Sequence, residues 1–249
     1  MTPLSHRLFV ALDVPDAAAA KALADQLAPL GVGLKLGLEL FSAEGPGLAR
    51  RLANAAPLFL DLKFHDIPAT VGRATAAAAR LGVAMLNLHV AGGEAMVREA
   101  VRARDEAAAA AGIRPPRLIG VTVLTSLDGA DLATAWGADA ARDASAEALR
   151  LARLARDWGL DGVVASAQEA AAIRAACGEG FLIVTPGIRP AGSEAGDQKR
   201  VLGPAEALAA GASHLVVGRP VTRAVDPAGA CRALLAAMAA APAPERRPA

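Results

Sequence analysis

One unit repeats along the whole chain: a short apolar run followed by a longer, alanine-rich run of helical period. The short runs are Leu8–Leu12, Val32–Leu36, Leu58–Leu62, Met85–His89, Arg117–Val123, Gly162–Ala165, Phe181–Val184 and His214–Val217. Helical patterns lie between them at Asp16–Leu30, Ala69–Leu81, Glu94–Ala111, Ser145–Trp158, Ala167–Cys177 and Pro204–Gly211. Strand and helix in strict alternation indicate a parallel sheet with both faces covered. About eight such units in 249 residues is the size of an α/β chain closed as a (β/α)8 TIM barrel. A doubly wound open sheet is the competing arrangement. No linker rich in Pro, Gly or Ser divides the chain, so one barrel domain is expected over residues 1–240. Ala241–Ala249, with three prolines, reads as a flexible tail.

Composition removes several function classes. Basic and acidic residues nearly cancel, 26 against 25, so no global field recruits nucleic acid or an anionic membrane. Aromatics are 3% of the chain and Tyr is absent, which leaves little to stack on single-stranded bases. No apolar stretch approaches the length of a membrane span, and Met1–Arg7 lacks the apolar core of a signal peptide. Cys177 and Cys231 stand alone and match no metal or redox spacing. A cytoplasmic protein with no membrane and no nucleic-acid partner is expected.

Active sites of such barrels sit at the C-terminal ends of the strands, so charges there carry most weight. The third strand runs Leu60-Asp61-Leu62-Lys63-Phe64-His65-Asp66. Strand alternation points Asp61 and Lys63 to one face and Leu62 to the other. Asp66 follows where the chain turns at Ile67-Pro68, and as a plain structural residue it would cap the next helix. The plain structural reading of Asp61 and Lys63 is a buried ion pair, which rarely improves on apolar packing. Lys35 stands between glycines in the second strand, and Asp13 ends the first, where it could equally cap a helix starting near Pro15. Together Asp13, Lys35, Asp61 and Lys63 fall at one end of adjacent strands, where alternating charges compensate one another.

Two further loops suit a phosphate. Thr185-Pro186-Gly187-Ile188-Arg189-Pro190 follows the seventh strand, and Val217-Gly218-Arg219-Pro220 follows the eighth. Glycines there let backbone N–H groups approach oxygen, and arginines bind it directly. The connection Thr185–Arg200 is long enough to read as a lid. His65 and His89 lack the spacing of a zinc site. Asp13, Asp61 and Asp66 could hold Mg²⁺, but the interleaved lysines would repel it, so no metal is expected.

These residues resemble the orotidine 5′-phosphate decarboxylases. The resemblance rests on Asp61-Leu-Lys63-Phe-His-Asp66-Ile-Pro, on Phe9-Val-Ala-Leu-Asp13 and on Leu34-Lys35-Leu-Gly37. It continues through Val123-Leu-Thr125-Ser, Thr185-Pro186-Gly-Ile-Arg189-Pro, Gln198 and Val217-Gly218-Arg219-Pro. It implies a cofactor-free barrel enzyme, acting as a homodimer in de novo pyrimidine synthesis, that makes UMP and CO₂. It assigns Lys63 as proton donor to C6 of the pyrimidine. Asp61 and Asp66 would lie near the leaving carboxylate, Asp66 and Thr70 reaching in from the partner subunit. Asp13 and Lys35 would hold the ribose, and Thr125 the base region. Gln198, Arg189, Gly218 and Arg219, with Pro186 in the same loop, would surround the phosphate. One departure is visible: Ala69 follows Pro68 where the family usually carries Asn.

The chemistry suits the residues. Loss of CO₂ leaves electron density on a ring carbon, and no cofactor signature here could delocalise it. A fixed cation that also delivers a proton, as Lys63 could, answers both needs. Two rivals remain: a Mg²⁺-dependent sugar-phosphate barrel sharing Asp-x-Lys-x-x-Asp, and a nucleotide-binding protein without catalysis.

Overall fold

The computed structural model describes residues 3–136, 143–189 and 202–240. Eight strands form a closed ring, each parallel to the next, with the last pairing the first. In chain order the first half comprises β1 (Leu8–Ala11), α1 (Ala17–Leu27), β2 (Gly33–Gly37), α2 (Leu38–Ala55), β3 (Leu58–Phe64), α3 (Pro68–Ala79), β4 (Met85–His89) and α4 (Glu94–Ala111). There follow β5 (Arg117–Val121), α5 (Gly129–Trp136), α6 (Ala144–Asp157), β6 (Gly162–Val164), α7 (Ala170–Cys177), β7 (Leu182–Thr185), α8 (Pro204–Ala209), β8 (His214–Val217), α9 (Arg219–Thr222) and α10 (Pro227–Ala239). The closed barrel, not the open sheet, is the architecture.

Alternation along each strand divides the apolar residues into two layers. Leu8, Val10, Leu34, Leu36, Leu58, Leu60 and their counterparts face the helices in one continuous core. Phe9, Ala11, Phe59, Met85, Ile119, Val184 and Val216 fill the barrel interior. Phe9 and Phe59 meet edge to face at 5.9 Å. That contact needs Gly33 on the strand between them, where a Cβ would lie 2.4 Å from the Phe9 ring.

Most element ends differ from the sequence reading by a residue or more, and α2, β3 and β5 differ in ways that matter to the architecture. No helical pattern stands out between β2 and β3 because Gly45-Pro46-Gly47 interrupts it, yet α2 runs through. Gly45 takes φ +69° at a kink and Pro46 restarts the helix behind it. β3 continues two residues beyond Leu62, and β5 stops at Val121, after which the Thr122 hydroxyl donates to the Val164 carbonyl at 2.9 Å. No helix among the described residues is long and apolar enough to cross a membrane.

The N-terminal end of the barrel is closed by polar bonds. Asp161 accepts from Arg104 at 2.6 Å, Arg117 at 2.6 Å and the Leu118 N–H at 2.8 Å. Arg7 ties the chain start to the carbonyls of Ala212 and Ser213, each at 2.8 Å. His214, two residues before inward-facing Val216, packs on Phe9 with ring centroids 5.8 Å apart. Burial, and then the charges of Arg7 and Arg117, push its pKa down to about 4. An unfolded chain binds this proton near pH 6.5, whereas the folded one refuses it until about pH 4. Stability is therefore expected to fall between those values by about 3 kcal/mol and to level off below. Urea midpoints measured against pH check this: His214→Phe should flatten that limb, and an unchanged slope would remove His214 as its source.

Candidate active site

At the C-terminal mouth the inward positions stop being apolar. β1 and β2 align Ala11 with Lys35, and β2 and β3 align Gly37 with Asp61, so Asp13, Lys35, Asp61 and Lys63 converge. Asp61 is nearly buried. Its Oδ1 lies 2.6 Å from Lys63 Nζ and its Oδ2 3.1 Å from Lys35 Nζ. Lys35 also faces Asp13 Oδ1 at 3.6 Å. Burial by itself would raise the pKa of Asp61. The Lys35 and Lys63 charges, with hydrogen bonds from Lys63 and Asn87, override it and hold the carboxyl below its usual range.

Strand alternation alone does not produce this geometry. Between the pairs Leu60↔Leu86 and Phe64↔Leu88, β3 advances four residues while β4 advances two, which is a bulge. Lys63 sits in the bulge with φ +51°, the one non-glycine positive φ among the described residues. That conformation costs a side-chain-bearing residue about 1–2 kcal/mol. Bulges beside active sites re-aim side chains, and here Lys63 is turned onto Asp61. Leu62 faces the helices, as alternation predicts.

Two plain structural alternatives are removed. Asp13 does not cap α1; Asp16 does, accepting the Ala19 N–H at 2.8 Å. Asp66 does not cap α3, whose N-cap is Ile67 with no side-chain bond; Asp66 is exposed and accepts the Ile67 N–H at 2.6 Å.

A cavity of about 540 Å³ opens above the network. Asp13, Lys35, Asp61 and Lys63 line it from the ends of β1 to β3, and Pro186, Gly187, Arg189, Gly218 and Arg219 from the ends of β7 and β8. β3 and β7 lie diametrically across the ring, so Asp61 and Lys63 stand across the cavity from the β7 loop, while the β8 loop adjoins Asp13 through the pairing of β8 with β1. Gly187 takes φ +75°, and Gly218 lets Asp13 approach, since a Cβ there would lie 3.3 Å from Asp13 Oδ2. Thr125 and Leu124 flank the opening, while Val121, Val164, Val184 and Val216 form an apolar floor. Arg189 is buried, and its N–H bonds to the Leu202 carbonyl at 3.1 Å, which ties together the two ends of the long connection.

Of the residues singled out from sequence, Asp66 and Thr70 do not line this cavity, and Gln198 lies outside the described residues. So do most of the Thr185–Arg200 connection and the tail 241–249. Glu39, the acidic residue that follows the second strand in the sequence, also lines the cavity. Two residues escaped sequence reasoning. Arg223 lines the cavity from just beyond α9, where charge is unremarkable in a sequence. Asn87 is fully buried and bonds to both Asp61 and Lys63. Its signal was a lone amide in Met85-Leu-Asn-Leu-His89, two residues from inward-facing Met85. Among the described residues no group of three or more His, Cys, Asp or Glu could hold a metal ion.

The model of the orotidine 5′-phosphate decarboxylase / HUMPS family matches residues 6–234. The orotidine 5′-phosphate decarboxylase of Moorella thermoacetica is 54% identical over 231 residues, covering 92% of this chain and 91% of the relative. That of Alkalilimnicola ehrlichii is 53% identical over 242 residues, covering 95% and 98%. The crystal structure of orotidine 5′-phosphate decarboxylase from Lactobacillus acidophilus superposes with a TM-score of 0.82 at 34% identity, covering 94% of this chain and all of that one. By sequence and by fold the chain belongs to the orotidine 5′-phosphate decarboxylase / HUMPS family.

Proposed function

We propose that the chain decarboxylates orotidine 5′-monophosphate to UMP and CO₂ in pyrimidine synthesis, without a cofactor, and that Lys63 protonates C6. The observation that carries this reading is the Lys63 ammonium, held 2.6 Å from Asp61 in a cavity also lined by Arg189 and Arg219. A nucleotide has complementary ends, with a dianionic phosphate at one and a reacting ring carbon at the other. The relatives' shared name supports the same substrate.

In the reaction the bond from C6 to the carboxylate breaks, CO₂ leaves, and the electron pair stays on C6. The positive charge of Lys63 stabilises that pair, and its Nζ then gives C6 a proton. Lys63 regains a proton from solvent after release. Asp61 fixes the ammonium, while Lys35 and Asp13 take the ribose hydroxyls and Thr125 the base region. Arg189, Arg219, Gly218 and Pro186 take the phosphate with Gln198, and that remote binding energy is available for ordering the reacting end. In a Mg²⁺-dependent sugar-phosphate enzyme a cation would occupy this wall; here the Lys35 ammonium stands 3.1 Å from Asp61 in that role. Asp66 and Thr70 would complete the site of a second subunit. The support is that Asp66 is exposed, does not cap α3 and lines no part of the cavity within its own chain.

Turnover of orotidine 5′-monophosphate, followed by pyrimidine absorbance and CO₂ release with a chelator present, tests the reading. Lys63→Ala is expected to abolish turnover and to leave UMP binding measurable; substantial residual decarboxylation would remove Lys63 as donor. Arg219→Ala is expected to raise KM about 10- to 100-fold, the scale of one charge-assisted bond. Equal weakening of the phosphorylated and unphosphorylated nucleosides would refute the phosphate assignment. If sites are shared, mixing Lys63→Ala with Asp66→Asn chains should restore activity that neither has alone; no recovery in a verified mixed dimer counts against sharing.

A further inference from the structure

We propose that Asn87 is a positioning residue that clamps the Asp61 carboxylate and the Lys63 backbone together and thereby sets where the Lys63 ammonium is delivered. The inference deepens the decarboxylase reading and rests on it. Asn87 is fully buried in β4 and does not line the cavity, so it acts through its neighbours.

It stands opposite the β3 bulge, between Leu86 and Leu88, the two β4 residues that bracket the slipped register. There the sheet ladder cannot serve Lys63, whose N–H donates to Asn87 Oδ1 at 2.8 Å. The same amide donates from Nδ2 to Asp61 Oδ1 at 2.7 Å. Asp61 Oδ1 in turn holds Lys63 Nζ at 2.6 Å, closing a ring through the backbone and side chain of one lysine. The orientation of the amide is fixed by chemistry: a backbone N–H can only donate and an ionised carboxylate can only accept. A carboxylate side chain lacks the donor, an aliphatic one lacks both groups, and a hydroxyl cannot span the two sites from one atom. The ring also answers the strain, since a lysine at φ +51° persists only where its surroundings hold it.

The groups facing Asp61 are Lys35 from β2, Lys63 from β3 and Asn87 from β4; Asp13 lies behind Lys35, and His89 is the next inward residue of β4. Asn87→Leu keeps side-chain size and removes both bonds. In that variant kcat is expected to fall roughly 10- to 100-fold with KM within about threefold, because only the alignment of the donor changes. The Lys63 amide should lose hydrogen-exchange protection, and the acid limb of kcat should move to higher pH as Asp61 loses a donor. Asn87→Asp keeps an acceptor for the Lys63 N–H but replaces the donor with a like charge. It should retain Lys63 protection while Asp61, followed by carboxyl NMR, titrates higher than in the unaltered protein.

A folded Asn87→Leu protein with unchanged kcat and unchanged Lys63 protection overturns the proposal. So does a variant that loses stability but keeps full kcat per folded molecule, which would make Asn87 merely structural. If the unaltered protein fails to turn over orotidine 5′-monophosphate, the decarboxylase reading falls. The clamp is then still judged by Lys63 protection and Asp61 titration in the two variants.

Discussion

Everything at the mouth of this barrel depends on one carboxylate shared by two ammoniums. Asp61 receives Lys63 on one oxygen and Lys35 on the other, with Asn87 adding a third donor. Two lysines in so confined a space would repel each other, and a lone carboxylate there would be driven to protonate. Each charge is tolerable only because the others are present. Asp13 balances Lys35 at the rim, so two cations meet two anions across β1, β2 and β3. The network is thus neutral and still presents an ammonium to the cavity.

A second carboxylate with two cations lies at the opposite end, and the contrast is informative. Asp161 holds Arg104 and Arg117 and also the Leu118 N–H. Guanidinium groups do not release protons at ordinary pH, and no positive φ is needed to bring them together. That arrangement fastens helix α4 and strand β5 to the loop before β6. The Asp61 network uses lysines instead, places one of them in a strained backbone conformation and opens onto a cavity. The two ends of the barrel therefore solve similar charge problems with different chemistry. One locks the fold, and the other presents a lysine ammonium to an open cavity.

Much of this was legible in the sequence. Period and spacing gave the parallel strands, and alternation placed Asp61 and Lys63 on one face. The charged positions at the ends of the first three strands and the glycine–arginine loops after the last two all line one cavity. What escaped has physical reasons. Gly45-Pro46 reads as a breaker, but Gly45 absorbs a kink that lets α2 continue. Asp66 keeps its place in the charged motif, yet within a single chain it points to no site, because exposure at a surface can be completed only by something outside the chain. Asn87 stood out only as a lone amide in an apolar strand, which has no fixed meaning until its register against the neighbouring strand is known. That register is itself irregular, since β3 slips by two residues beside it.

The slip explains why a lysine, and not a more rigid residue, occupies the end of β3. In regular pleating, Lys63 would continue the Phe59–Asp61 face one step further up the wall, its stem following the strand. In the bulge Lys63 instead takes φ +51°, and its Nζ lies 2.6 Å from Asp61 within the same strand. A short side chain could not make that contact, and a guanidinium would bind the carboxylate through a fixed fork and keep its proton. A long flexible amine at a strained position can pair with its neighbour at rest and still reach forward into the cavity. If Lys63 is the proposed donor, the backbone strain at that one residue sets its aim, and the bonds from Asp61 and Asn87 hold it there.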